Sequence, residues 1–241
     1  MTHSYPLITI AICSYNRRDY LFDTLTDVNR FKSKPKEAEV VVINNNSTDG
    51  TAKMLEDFEW TSPLALLTFV ESKQGLSHAR NRAILEAKGE FILFIDDDVY
   101  AKPEFLNNWV NNLKSHPHLV GGGGRIIVHF DGEKPLWFPP VLSSILGHHF
   151  PYKKSHRYSG RVYPLGGNML VKKDWFDEHG AFNPLLGRNG KVLGGGEEKD
   201  VFAKMKLNNA AIWFFPECVL KHRIGAVSYT HLRAHETDLN L

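Results

Sequence analysis

The sequence predicts an α/β fold: a mostly parallel central sheet with helices on both faces. Three observations predict it. Short apolar runs alternate with helical patterns four times: 7–13 then 18–31, 40–43 then 48–58, 64–70 then 75–87, and 91–95 leading on to 103–115. The runs lack polar alternation, as strands covered on both faces do. Three runs also end in polar clusters, Ser14-Tyr15-Asn16, Asn44-Asn45-Asn46-Ser47 and Asp96-Asp97-Asp98. These lie at carboxyl ends of strands, where open α/β sheets bind their ligands.

Each element has its own local reason. Residues 7–13, Leu-Ile-Thr-Ile-Ala-Ile-Cys, are β-rich. Leu21, Leu25 and Val28 recur at helical spacing across 18–31, as do Ala79, Ala83 and Ala87 across 75–87. Asp49 and Gly50 sit near the start of the helix expected over 48–58. Pro103 suits the first turn of a helix over 103–115. The four glycines 121–124 read as a turn entering a strand at Arg125. Residues 130–164 form a long irregular stretch rich in Pro, His, Tyr and Lys, and such loops commonly carry function. Strand then helix is expected over 165–171 and 173–179. Gly194–Gly196 leads through Glu197-Glu198-Lys199-Asp200 into an amphipathic helix over 201–208, and a last strand over 211–215 stops at Pro216. From Val227 the pattern breaks, and 227–241 is expected to be a foreign tail in place of the native C-terminus, with a genuine disordered tail as the alternative.

Composition narrows the function classes. With 241 residues, 42% hydrophobic and 12% aromatic, the chain suits one domain with a full core and is not a disordered protein. Lys+Arg 29 against Asp+Glu 27 leaves a net charge of +2, too small a field to imply nucleic acid as a partner. Cys13 and Cys218 lie far apart, without disulfide-framework or zinc spacing. No apolar run approaches the roughly 20 residues of a membrane span, and the first residues carry no targeting pattern. A soluble, cytosolic chain is expected.

Asp96-Asp97-Asp98 is the sharpest chemical signal. Three carboxylates leaving a buried strand repel one another and resist desolvation unless a cation or water compensates. Hard oxygen ligands suit Mg²⁺ or Mn²⁺; a solvated, capped turn is the alternative. Ser14, Tyr15, Asn16, Asn44 and Asn45 could supply a stacking ring and amide hydrogen bonds to a nucleobase, although Asn44–Asp49 also reads as an ordinary Asx turn before a helix. Arg80 lies within reach of the same rim or makes a surface ion pair. Glu197 and Glu198, at a helix start, serve as caps or as a general base. His222 is a candidate late metal ligand or a packed histidine. Gly121–Gly124 lacks the Lys-Ser/Thr of a P-loop, the first strand lacks the dinucleotide glycine fingerprint, and no Gly-x-Ser-x-Gly elbow occurs. His148-His149 has no spaced partner and reads as solvated.

In order along the chain, Ile10-Ala11-Ile12-Cys13-Ser14-Tyr15-Asn16-Arg17, Val41-Val42-Ile43-Asn44-Asn45-Asn46-Ser47-Thr48-Asp49-Gly50, Ala79-Arg80-Asn81, Phe94-Ile95-Asp96-Asp97-Asp98, Gly166-Gly167-Asn168-Met169 and Gly196-Glu197-Glu198-Lys199-Asp200 resemble glycosyltransferase family 2, inverting enzymes of the GT-A fold. The resemblance covers about residues 5 to 225. It implies one GT-A domain over 1–226, with a nucleotide-binding half, 1–100, and a smaller acceptor-side half, 101–226. It also implies transfer of a sugar from a nucleotide-diphosphate donor to a glycan or lipid-linked acceptor in polysaccharide or envelope glycan synthesis. Such an enzyme would be cytoplasmic, with peripheral association at the inner face of the membrane left open and no oligomeric state specified. Carried over residue by residue, Tyr15 would stack near the base, Asn44 or Asn45 would bond it, and Ser14, Asn16 and Arg80 would line the donor side. Asp96 and Asp97 would lie near the ribose. Asp98, the last acid of an Asp-x-Asp pattern, would hold Mn²⁺ or Mg²⁺ with His222, and Gly167 and Asn168 would line the acceptor side. Glu198 would be the base, with Glu197 the alternative because the pair is Glu-Glu rather than Glu-Asp. Asn44 stands where the family often has Asp. A sugar-nucleotide pyrophosphorylase and a non-catalytic nucleotide-sugar binding domain are the rival readings.

Overall fold

A computed structural model describes residues 6–32, 34, 37–134, 152–188 and 195–225. Strand β1 (Ile8–Ser14) pairs in parallel with β2 (Ala38–Asn44) on one side and β4 (Phe91–Ile95) on the other, and β2 pairs in parallel with β3 (Ala65–Val70). Helices α1 (Arg18–Val28), α2 (Thr51–Asp57) and α3 (Leu76–Glu86) make the crossovers. After β4 come β5 (Val99–Ala101), α4 (Phe105–Ser115), β6 (Gly121–Phe130), β7 (His156–Arg157), β8 (Asn168–Lys172), α5 (Lys173–His179), α6 (Glu197–Leu207) and β9 (Ile212–Ile224). Among the described residues all strands join one sheet, in the order β3-β2-β1-β4-β8-β6-β9-β5, with β7 on β9. The first four are parallel, as expected. The sheet becomes mixed where β8 enters antiparallel to both β4 and β6.

Alternate residues of the central strands feed two cores. Ile8, Ile10 and Ile12 of β1, with Val40, Val42, Leu93 and Ile95, meet Leu21, Leu25 and Val28 of α1 and Phe105 and Trp109 of α4. Ala11, Val41, Ile43, Ile92 and Phe94 face the other way, onto Ala79 and Ala83 of α3, Trp175 and Phe176 of α5, and Phe202 and Met205 of α6. A period-2 strand apolar on both faces therefore requires helices on both sides. The edge strand β3 departs from the expectation of full burial: Ala65, Thr68 and Val70 are exposed and Leu66, Leu67 and Phe69 only part-buried. No helix among the described residues is long and apolar enough to cross a membrane.

Several element boundaries differ from the sequence expectation, and helix α1 ends at Val28 and strand β8 begins at Asn168 rather than at 31 and 165. Helix α2 starts at Thr51, not at residue 48, because Asp49 accepts hydrogen bonds from the Thr51 amide (3.1 Å) and hydroxyl, while Asn46 and Gly50 take left-handed φ of 60° and 87°. The glycines 121–124 lie inside β6 rather than in a turn. A Cβ on Gly124 would lie 2.3 Å from both Asn168 Nδ2 and the Cys218 carbonyl, so the strand needs glycine to let its neighbours close in. Gly124→Ala is therefore expected to cost about 3 kcal/mol, as overpacking against backbone does, read as a lower urea midpoint with an unchanged m-value. Helix α6 begins at Glu197 instead of 201. Strand β9 continues past Pro216 to Ile224, because a register shift opposite Gly124/Arg125 places the proline in a bulge, where its missing N–H breaks no ladder. His148-His149, Gly194 and the tail from Val227 lie outside the described residues.

Candidate functional site

Strands β1 and β4 are neighbours in parallel register, Ile12 opposite Ile95, so the chain leaving β1 runs beside Asp96-Asp97-Asp98. Strand β5 follows at once and pairs Val99 with His222 of β9, and the Asp98 carbonyl accepts the Arg223 amide at 2.8 Å. Sheet topology alone thus gathers residues from positions 14, 98 and 222 at one rim. A cavity of about 520 Å³ opens there, within the usual range for small-ligand sites.

One wall is acidic. Asp97 and Asp98 are 5% and 4% exposed. Arg17 pairs with Asp98 Oδ2 and, at 3.4 Å, with Asp97 Oδ1; His222 Nε2 stands 3.4 Å from the same Asp98 Oδ2. Burial would lift the Asp98 carboxyl, but His222 and Arg17 outweigh it and hold the group below the usual carboxylate range. Asp97 goes the other way, pushed up to about 7 by burial and then by the Asp98 charge. Burial, then Asp98, also raises Asp96. Asp97 and Asp98 thus share one guanidinium, with the half-buried Asp96 carboxylate beside them.

A divalent ion fits this wall. One ligand atom each from Asp96, Asp98 and His222 all lie within 4.8 Å of one another. Asp98 Oδ1 is buried and accepts no hydrogen bond among the described residues, which is costly for a carboxylate oxygen unless a cation serves it. Two carboxylates and an imidazole suit Mn²⁺ or Mg²⁺.

The facing wall comes from α3, α6 and the segment before β8. Arg80, 3% exposed, donates to Glu197 Oε1 at 2.7 Å and to the Gly166 carbonyl at 3.3 Å, with its guanidinium 5.4 Å from the Phe182 ring centre. Glu197 is equally buried, so the two charges neutralise each other in a low-dielectric place. Arg80→Met is expected to cost about 3 kcal/mol or more by stranding the Glu197 charge, with most of it recovered in Arg80→Met/Glu197→Gln; paired urea titrations read both. Glu198, one residue on, also lines the cavity and is only part-buried. Burial, then the Glu197 charge, raises its carboxyl above the ordinary range, the tuning a general base needs. Gly196 before the pair has φ 94°, a left-handed turn that starts the helix with both glutamates in its first turn. Cys13 lies on the cavity wall as well, but burial pushes its thiol up to about 12, leaving it protonated at neutral pH.

With this geometry in hand, the family description "Glycosyl transferase family 2" matches residues 9–180. The chain belongs to that family. Its fold is the GT-A fold of the solved glycosyltransferases it resembles. A mannosyltransferase from Pyrobaculum calidifontis in complex with GDP-Man and Mn²⁺ superposes with a TM-score of 0.66, at 20% identity, covering 91% of this chain and 57% of that one. Staphylococcus aureus TarS 1–349 in complex with UDP-GlcNAc superposes with a TM-score of 0.69, at 20% identity, covering 90% and 58%. In sequence, the putative teichuronic acid biosynthesis glycosyltransferase TuaG of Bacillus subtilis is 33% identical over 132 residues, 55% of this chain and 52% of TuaG. The chain thus spans about half the length of that curated relative.

The family 2 cavity takes in Ser14, Tyr15, Asn45, Arg80, Asp96, Asp97, Asp98, Gly167, Glu197, Glu198 and His222 of the residues singled out by sequence. Three others are spent elsewhere. Asn16, at φ 51°, accepts the Thr48 amide at 2.7 Å through Oδ1, and Asn44 accepts the Ser47 amide at 3.0 Å; both hold the turns after β1 and β2 rather than the cavity wall. Asn168 is fully buried, and its Nδ2 donates to the Cys218 carbonyl at 2.9 Å and the Arg125 carbonyl at 3.2 Å, so it pins the bulge between β6 and β9 and is not on the cavity lining. Even Asn45 is mostly committed. Its Nδ2 donates to the Glu71 and Lys73 carbonyls at 3.0 and 2.7 Å, and its Oδ1 accepts the Gly75 amide at 2.9 Å. Arg80 makes a buried ion pair, not the surface one that was the alternative. Two cations on the lining, Arg17 and Arg188, were not singled out. For Arg17 a signal existed: a basic residue just past the end of one strand, where the neighbouring strand ends in three acids.

Proposed function

We propose that this chain is a metal-dependent inverting glycosyltransferase that moves a sugar from a nucleoside-diphosphate donor to an acceptor hydroxyl, in synthesis of a bacterial cell-envelope polysaccharide, working in the cytoplasm or at the inner face of the membrane. One observation carries the reading: a single cavity has the buried Asp98 grouped with the half-buried Asp96 and His222 on one wall and the half-buried Glu198 carboxylate on another. The relatives support the setting. TuaG is named for teichuronic acid biosynthesis, TarS was solved with UDP-GlcNAc, and the Pyrobaculum enzyme with GDP-Man and Mn²⁺.

Asp96, Asp98 and His222 would hold Mn²⁺ or Mg²⁺, which supplies charge to offset the negative charge growing on the departing diphosphate. Tyr15, 41% exposed at the rim, offers a ring face to the nucleobase, with Ser14 beside it. Glu198 takes the proton of the acceptor hydroxyl as that oxygen bonds the anomeric carbon. The carbon–oxygen bond to the diphosphate breaks, and the nucleoside diphosphate leaves with the electron pair. One displacement inverts the anomeric centre. Glu197 is tied to Arg80, which leaves Glu198 free to act as base.

A panel of UDP- and GDP-sugars tests this by thermal shift and by release of free sugar. One nucleotide series should raise Tm only with Mn²⁺ present, by the equivalent of about 2.7 kcal/mol at a hundredfold excess over Kd, and should be hydrolysed slowly. Pyrophosphate-dependent formation of a nucleoside triphosphate would instead favour a pyrophosphorylase, and binding without turnover a non-catalytic domain.

A further inference from the structure

Arg17 occupies an unusual position for a cation. Its guanidinium pairs with Asp98 Oδ2, the oxygen that His222 Nε2 also approaches, at 3.4 Å. The group able to hold a divalent ion thus has one of its oxygens already engaged by a positive charge. The partners differ in freedom. The Asp97 and Asp98 side chains are 8% and 6% exposed, whereas the Arg17 side chain is 38% exposed. The carboxylates are fixed by β4 and by the β5–β9 pairing, while the arginine starts from the loop before α1 and lines the open cavity. The Tyr20 ring centre lies 5.8 Å from its guanidinium carbon. Asp98 Oδ1, meanwhile, is buried and unbonded among the described residues.

We propose that Arg17 is a charge-exchange residue. In the metal-free protein it neutralises Asp97 and Asp98. A divalent ion arriving at Asp96, Asp98 and His222 repels the guanidinium and displaces it from Asp98 Oδ2, and the freed guanidinium turns into the cavity to bind the donor's diphosphate. Arg17 therefore opposes metal binding when no nucleotide is present and favours nucleotide binding once the metal is in place. The two effects have opposite sign, whereas a merely structural arginine would weaken both when removed. This inference rests on the metal-held donor proposed above, and it identifies the side chain that couples the two ligands.

The test uses the full chain and its Arg17→Gln, Arg17→Lys and Asp98→Asn variants, with melting curves to establish that each is folded. Mn²⁺ binding without nucleotide is measured by the loss of the free-ion electron paramagnetic resonance signal. UDP and GDP binding is then measured at saturating Mn²⁺ by calorimetry. Arg17→Gln should bind Mn²⁺ about tenfold more tightly and its preferred nucleotide about tenfold more weakly, the size of one charge-assisted contact. Arg17→Lys should stay close to the parent in Mn²⁺ affinity, because the charge remains. Unchanged or weaker Mn²⁺ binding in Arg17→Gln, beside normal Mn²⁺ binding by the parent and its loss in Asp98→Asn, would overturn the exchange role alone. Failure of both the parent and Arg17→Gln to take up Mn²⁺ would overturn the donor reading with it.

Discussion

Asp98→Asn is expected to lower kcat/KM for glycosyl transfer by about 10³-fold or more, roughly 4 kcal/mol, and to abolish Mn²⁺-dependent binding of the nucleotide. The change is isosteric, so the packing around a residue only 4% exposed is kept. The charge is not. Asp98 is the member of the acidic run held ionised, because His222 and Arg17 outweigh the burial that would otherwise lift its carboxyl. It also carries the buried Oδ1 with no partner among the described residues. An amide removes the full negative charge from the place where a divalent ion would be bound and leaves Asp96 and His222 as a weaker pair. Circular dichroism melting should still show a cooperative transition, while initial rates lose their dependence on added Mn²⁺. A variant that binds nucleotide with undiminished Mn²⁺ dependence would move the ion away from this rim.

Glu198→Gln should behave differently, and the contrast carries information. Transfer is expected to fall by about 10²- to 10⁴-fold, the usual contribution of a positioned base, with nucleotide and Mn²⁺ affinity close to those of the parent. Burial, then Glu197, raises the Glu198 carboxyl. A base must be ionised to act, so the acid limb of kcat/KM against pH should lie above the ordinary glutamate value of about 4.3 and should vanish in the variant. The same shift has a sign for stability. A carboxyl whose folded-state pKa is raised adds to stability below its unfolded value, and that contribution is lost as pH rises through the folded value. Above that folded value the parent carries an ionised group the fold disfavours, and there Glu198→Gln should melt at the same temperature or higher. A mutation that removes turnover while preserving or raising Tm identifies a functional residue rather than a structural one. Normal transfer by Glu198→Gln would remove the base assignment.

The parallel half of the fold was legible because its signals are local. Apolar runs at 7–13 (interrupted only by Thr9), 40–43 and 91–95 and the helical spacing of Leu21, Leu25 and Val28 each read without knowledge of the rest. The second half was harder, because its strands are defined by partners distant in sequence. Nothing local marks Gly121–Gly124 as strand until Asn168 and the Cys218 carbonyl crowd the space a Cβ would fill. Pro216 reads as a terminator until its bulge is seen against Gly124 and Arg125. Residues near the site divide in the same way. The carboxylates at 96–98 announce themselves, since no buried strand end carries three charges without cause. Asn16, Asn44 and Asn168 look alike in sequence to a ligand-binding amide, and only their hydrogen bonds to Thr48, Ser47 and Cys218 reveal that each is spent on the backbone. Arg80 and Glu197 are separated by 117 positions, so their pairing could not be read before the fold.

The most direct measurement is an anomalous difference map from crystals of the full chain grown with Mn²⁺ and the nucleoside diphosphate that stabilises it. One strong manganese peak is expected, bounded by Asp98, Asp96 and His222, with both phosphates touching it and the base against Tyr15. A manganese peak at any other place in the cavity, or a nucleotide bound with no ion between its phosphates and Asp98, would contradict it.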